Sequence, residues 1–204
     1  MDEIERAQWL LERGYILDAE LFRVASVIEK TNELNEEANL MSNVDATTII
    51  DYSYSDFCDG INRIAKQIEE SDFTPDYVVG IVRGGAIPAT HLSHKLKLPV
   101  VMVHWSTRDK FDFVSNETNC WIPEDLHNGT RVLVVDDIVD GGDTIKELLE
   151  DWHSSTQGMG DLPVENLRVA AMYYNTSQDV TVDYYHRAID RNEDKRWVIF
   201  PWET

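Results

Sequence analysis

Cysteine, proline and positive charge are all scarce in this chain, and each shortage removes a class of protein. Two cysteines, Cys58 and Cys120, allow one disulfide at most. They build no disulfide framework, and the expectation is two reduced thiols in an intracellular protein. Six prolines and ten glycines among 204 residues form no low-complexity tract, and no internal repeat is visible. Lysine and arginine number 18 against 38 acidic residues, a formal net charge of −20. Phosphate backbones are gripped by clustered basic residues, so this balance argues against nucleic acid as a partner. It argues equally against anionic membrane surfaces. No apolar run approaches the roughly 20 residues that span a bilayer. The opening MDEIERAQWL is charged at once, unlike a secretion signal. These points give the expectation of a soluble cytoplasmic protein. Six histidines show no paired spacing with Cys or Glu that would argue for zinc. No G-x-G-x-x-G follows the first core strand, which removes a dinucleotide-binding Rossmann protein.

What is present suits a globular domain. Apolar residues make up 43% of the chain, with six Trp and eight Tyr, enough for one domain with a sizeable core plus a small appendage. Two regimes divide it. Over residues 3–40, Ile4, Ala7, Trp9, Leu10 and Leu11, then Ile16, Leu17, Leu21, Phe22, Val24, Ala25 and Ile28, recur at helical spacing, with Gly14 as punctuation. Residues 1–48 are therefore read as a helical extension that packs on the main domain or on a second subunit. A homodimer or larger homo-oligomer is expected. Residues 49–204 follow a different pattern. Ser55 is placed as the cap of a helix carrying Phe57, Ile61, Ile64, Ala65 and Ile68 on one face. Apolar strands are expected at YVVGIV, PVVMVHW, RVLVV (131–135), LRVAAMYY (167–174), YYHRAI and WVIF (197–200). Helices are expected at 87–96 and from Thr144 onward, and a polar loop over 106–119. Strands alternating with helices give an α/β fold built on a mostly parallel, doubly wound sheet.

The strongest local signal is Val132-Leu133-Val134-Val135-Asp136-Asp137-Ile138-Val139-Asp140-Gly141-Gly142-Asp143-Thr144. A hydrophobic strand delivers two adjacent carboxylates to the carboxyl end of a sheet, where open α/β sheets bind ligands. A third carboxylate, two glycines and a threonine then open a helix. Glycines let backbone N–H groups wrap a phosphate, and the helix N-terminus adds favourable partial charge. Carboxylates bind ribose hydroxyls or hold Mg²⁺, which prefers oxygen ligands in the company of phosphate.

This run resembles the phosphoribosyl pyrophosphate signature of type I phosphoribosyltransferases. Gly141 stands where that family usually has Thr or Ser. Val82-Arg83-Gly84-Gly85 resembles the family's pyrophosphate loop. The segment 106–119 takes the place of its lid, beginning with Ser106, Thr107 and Arg108 as pyrophosphate contacts. Trp197-Val198-Ile199-Phe200-Pro201-Trp202-Glu203 resembles the C-terminal hood of the xanthine–guanine and hypoxanthine enzymes. The resemblance covers about residues 50–203 and implies a ribose 5-phosphate transfer from phosphoribosyl pyrophosphate to a nucleobase, a purine, with Mg²⁺. It assigns Asp140 as proton acceptor for the base. It assigns Asp136, Asp137, Gly141, Gly142, Asp143 and Thr144 to the sugar phosphate. Asp136, Asp137 and Glu203 are turned toward the metal, Trp197 stacks on the base, and Val198 reads the ring edge.

One position departs from the family. Where the 6-oxopurine enzymes carry a Lys that contacts O6, this chain has Asn175, which both donates and accepts. Lys195 and Arg196 are the replacement cations considered. Adenine or a pyrimidine such as orotate stays open as the substrate. So does a non-enzymatic regulator that senses phosphoribosyl pyrophosphate.

Overall fold

A computed structural model describes residues 49–107, 116 and 119–203. The helical extension expected over 3–40 lies outside the described residues, as does Arg108. The described chain runs β1 (Ile49–Asp51), α1 (Tyr54–Glu69), β2 (Tyr77–Val82), α2 (Ala86–Leu96), β3 (Val100–His104), α3 (Trp121–His127) and β4 (Val132–Val139). It continues through α4 (Asp143–Ser155), β5 (Leu167–Asn175), β6 (Tyr184–Ile189) and β7 (Trp197–Ile199).

Five strands form one sheet in the order β3-β2-β4-β5-β6, and every neighbouring pair is parallel. This is the doubly wound parallel sheet expected from the alternation of elements. Its central strands are buried on both faces, so β2 and β4 read as continuous apolar runs. One face is closed by α3 and α4, whose Ile122, Leu126, Ile145, Leu148 and Trp152 join Val79, Ile81, Val103, Val132 and Val134 in a single core. The other carries α2 over β2 and β4, and α1 over β5 and β6. The Phe57 ring of α1 meets the His91 ring of α2 edge-on at 4.9 Å.

By compactness the chain divides into two units. The larger is residues 51–195 with 199–204; the smaller is residues 1–50 with 196–198. β1 and β7 make a separate two-stranded sheet.

Three local readings change. The cap of α1 is Ser53 rather than Ser55. Ser53 Oγ accepts the Asp56 N–H at 3.1 Å while the Ser53 N–H donates to Asp56 Oδ2 at 3.2 Å, a closed capping box. Ser55 has no acid three residues on and falls in the first turn. A helix, α3, occupies WIPEDLH, where no helix was expected; seven residues are too few to display a period. Finally, β4 extends to Val139, so Asp136 and Asp137 lie within the strand instead of after it.

Candidate active site

After β3, the chain crosses from one side of β2 to the other, so β2 and β4 are neighbours that flank a reversal of strand order. Ligands of such sheets bind beyond the carboxyl ends of the strands at that reversal. β2 ends at Val82 and opens into Arg83-Gly84-Gly85; β4 ends at Val139 and opens into Asp140-Gly141-Gly142. Topology alone thus sets the two glycine loops side by side, and α2 and α4 begin directly after them. Both helix N-termini favour an anion there.

Contact between the first loop and β4 is close. A Cβ added to Gly84 would collide with the Asp137 carboxylate, and one added to Gly85 with the backbone oxygen of Val135. Glycine at both positions is what lets the β2 loop lie against β4. The Val82–Arg83 peptide is cis, and the Arg83 side chain is exposed. In the second loop Gly142 has φ +81°, a left-handed conformation that glycine adopts without cost. Its missing Cβ is also space taken by the Val180 side chain. Gly141 and Thr144 are half-buried and Asp143 is exposed. Thr107 Oγ1 stands 3.5 Å from Thr144 Oγ1, which brings the head of the 106–119 segment to the second loop. The Ser106 N–H donates to Asn116 Oδ1 at 2.9 Å.

Asp136 and Asp137 are buried, 9% and 8% exposed, at the end of an apolar strand. The Asp137 N–H donates to Asp136 Oδ1 at 3.0 Å, and the Ile138 N–H to Asp137 Oδ1 at 2.8 Å. Burial, with a smaller push from the charge of Glu203, raises the Asp137 carboxyl to about 6 against the lowering effect of the Ile138 bond. Glu203 is brought there by the C-terminal turn. The Phe200 N–H donates to Glu203 Oε2 at 2.9 Å, and the Glu203 N–H to Phe200 O at 3.0 Å. The Trp202 ring stacks on Phe200 at 5.0 Å and meets Phe57 of α1 at 5.1 Å. Its indole N–H lies beside Asp137 without completing a hydrogen bond of normal geometry.

Among the described residues no three His, Cys, Asp or Glu side chains converge as a protein-only metal cage. Buried Asp137 facing the charge of Glu203 is nonetheless a donor set that a cation would relieve. Magnesium bound with substrate phosphate keeps several waters and takes one or two carboxylates, which these residues fit.

Asp140 is held differently. Arg191 Nε donates to Asp140 Oδ1 at 2.9 Å and Arg191 Nη2 to Oδ2 at 3.2 Å, a two-pronged pair with side chains 15% and 20% exposed. Asn175, 1% exposed, donates through Nδ2 to Asp140 O at 3.1 Å and to Asp140 Oδ1 at 3.3 Å. The residue expected to face the base thus has its amide nitrogen on Asp140. Its amide oxygen accepts from Ser177 N, Ser177 Oγ and Arg191 N, so both ends of the amide are engaged by the protein. Lys195, a cation considered in place of the missing Lys, is exposed, and the cation that meets Asp140 is Arg191. Arg191 follows β6 inside the acidic run Asp190-Arg191-Asn192-Glu193-Asp194, where no pattern singles it out. The only signal for it was its place just past the carboxyl end of a strand. Trp197 and Val198 lie on β7 in the smaller unit; Trp197 is 54% exposed and Val198 is buried.

Comparison with known proteins agrees with this fold. The family model described as a phosphoribosyl transferase domain matches residues 53–204. A purine phosphoribosyltransferase structure from Pyrococcus horikoshii superposes with TM-score 0.55 at 25% identity, covering 77% of this chain and 95% of that one. A xanthine-guanine-hypoxanthine phosphoribosyltransferase from Helicobacter pylori gives TM-score 0.53 at 23% identity, covering 76% and 92%, a likeness of fold. An orotate phosphoribosyltransferase of Brucella anthropi is 35% identical over 88 residues, 43% of this chain. The match spans 41% of that relative's length.

Proposed function

From the premise that this chain belongs to the phosphoribosyltransferase family, we propose that it transfers the ribose 5-phosphate of phosphoribosyl pyrophosphate to a purine base and releases pyrophosphate. The observation that carries the reading is the contact of the first glycine loop, through Gly84, with the Asp137 carboxylate on β4, the strand that opens into the second glycine loop. A sugar with phosphate groups at both ends needs two anion-binding loops separated by no more than its own length. Carboxylates for its hydroxyls must lie between them.

Residues 140–144 cradle the 5′-phosphate with backbone N–H groups, the N-terminus of α4 and the Thr144 hydroxyl. Arg83, Gly84 and Gly85, with the hydroxyls of Ser106 and Thr107, take the pyrophosphate. Asp136 and Asp137 accept from the ribose hydroxyls. They would also hold Mg²⁺ with Glu203, through water or directly; the ion would supply charge neutralisation on the departing pyrophosphate. As the base attacks the anomeric carbon, the bond to pyrophosphate breaks and positive charge builds on the sugar ring. Buried carboxylates beneath that ring stabilise the charge. Asp140 accepts a proton from the base as the new bond forms.

The purine reading is supported by the Pyrococcus neighbour, which this chain covers almost throughout. Orotate is the second reading, favoured by the segment shared with the Brucella enzyme. Purified protein should be assayed for pyrophosphate release with hypoxanthine, guanine, xanthine, adenine and orotate in the presence of Mg²⁺. Turnover of a purine supports the proposal; turnover of orotate alone replaces the substrate. Tight binding of phosphoribosyl pyrophosphate with no turnover on any base would point to a sensor.

A further inference from the structure

We infer that Arg191 is a positioning residue for Asp140. Its guanidinium, together with the Asn175 amide, holds the carboxylate in the one orientation that faces the base. The inference rests on the transfer reaction proposed above and adds to it a residue from a third loop.

The geometry is specific. A guanidinium that meets both oxygens of a carboxylate fixes its plane as well as its place. Here the fork engages Oδ1 at 2.9 Å and Oδ2 at 3.2 Å. Asn175 adds a donor to Oδ1 at 3.3 Å and pins the main chain through Asp140 O at 3.1 Å. The orientation of Asn175 is itself set, because three donors converge on its oxygen: Ser177 N at 3.1 Å, Ser177 Oγ at 2.7 Å and Arg191 N at 3.2 Å. Arg191 therefore acts twice, with its side chain on Asp140 and its backbone on the residue that also holds Asp140. The network ties together the loop after β4, the end of β5 and the loop after β6.

A proton acceptor must stand about 2.6–3.2 Å from the atom whose proton it takes. A carboxylate free to turn at the mouth of a glycine loop would meet that distance only part of the time. An ionised carboxylate has about four acceptor positions. The fork and the amide occupy three of them, which leaves a position on Oδ2 for the N–H of an incoming base.

The experiment compares Arg191→Gln, Arg191→Lys, Asp140→Asn and the double variant Asp140→Asn/Arg191→Gln in the full chain. Arg191→Gln should lower kcat by about 10- to 100-fold, the usual penalty for a misplaced group. KM for phosphoribosyl pyrophosphate should stay within about threefold, because Arg191 acts on the base side of the reaction. Arg191→Lys should restore part of kcat by returning the charge without the fork. The double variant should be no slower than Asp140→Asn, since a residue acting through Asp140 has nothing left to act on. Losses that multiply would overturn the inference, as would a rise in KM equal to the fall in kcat. If the unsubstituted protein turned over neither purine nor orotate, the proposed function would be wrong. The clamp would then be judged by melting the same four proteins without ligand. A double variant melting no lower than its weaker parent supports the clamp, and additive losses in Tm refute it.

Discussion

Replacing Asp137 with Asn should make the ligand-free protein more stable and at the same time remove its grip on phosphoribosyl pyrophosphate. Asp137 is 8% exposed, packed against Gly84, and faces the negative charge of Glu203. Its carboxyl stands at about 6 rather than 3.8. The folded protein therefore holds this proton more tightly than the unfolded chain does. Between about pH 4 and 6 the group's contribution to stability is lost as pH rises. Above that window the ionised carboxylate costs the fold at most about 3 kcal/mol, since each tenfold gain in proton affinity on folding is worth about 1.36 kcal/mol. Asparagine has nearly the same shape, keeps an oxygen for the Ile138 N–H and carries no charge. At pH 7.5 without Mg²⁺ the variant should melt several degrees higher, since 1 kcal/mol is worth about 2–4 °C in a protein of this size. The gap should close as the pH is lowered toward 4, where the original carboxyl is protonated as well. Adding Mg²⁺ with phosphoribosyl pyrophosphate should reverse the order, because only the carboxylate gains from the cation. The assay is a thermal melt of both proteins from pH 4.5 to 8, with and without the two ligands. A D137N variant that melts lower than the original at pH 7.5 would refute the reasoning, since the carboxylate would then be stabilising the fold.

Asp140→Asn should leave affinity for phosphoribosyl pyrophosphate within a few-fold but slow turnover by roughly 10²–10⁴, checked by titration calorimetry beside steady-state kinetics. Gly84→Ala forces a methyl group onto the Asp137 carboxylate, so binding of phosphoribosyl pyrophosphate should weaken by about 10- to 100-fold; an unchanged Kd would mean that the two loops do not share the ligand. Gly142→Ala sets a side chain at φ +81° and against Val180, and should cost about 1–2 kcal/mol, read from denaturant midpoints. Asn175→Lys should give no added preference for 6-oxopurines. It breaks a buried network beside Arg191 and should lose about 1–3 kcal/mol of stability; a gain in selectivity at unchanged Tm would put the amide at the base after all.

How much of this could be read from the sequence depended on how local the cause was. β2, β4 and β5 are buried on both faces, so their apolar runs announce them without any knowledge of partners. The loop from Asp136 to Thr144 is legible for the same reason: strand, acids, glycines and helix follow one another along the chain. Gly84 and Gly85 were visible as a turn, yet the reason for glycine there is a contact with Asp137 and Val135 from another strand. The short helix α3 escaped because a helix of seven residues has no room for a period.

Asn175 is the instructive case. Alignment by motif sets it where related enzymes carry a base-contacting Lys, and its amide has the right chemistry for a ring edge. Whether an amide faces a ligand or the protein is decided by donors that arrive from elsewhere, here Ser177 from two residues on and Arg191 from the loop after β6. The Arg191 partner exists only once β6 is paired with β5 along Tyr173↔Arg187 and Asn175↔Ile189, the register that brings the chain past its end at the level of Asp140. A strand register is a property of the assembled sheet. The cation that meets Asp140 was therefore not on the strand where a family pattern would look for it. It sat sixteen residues later in sequence, in a run whose acidity made an arginine look like one more solvated charge. The sheet brings Arg191 and Asp140 together, and with them the third loop of the site.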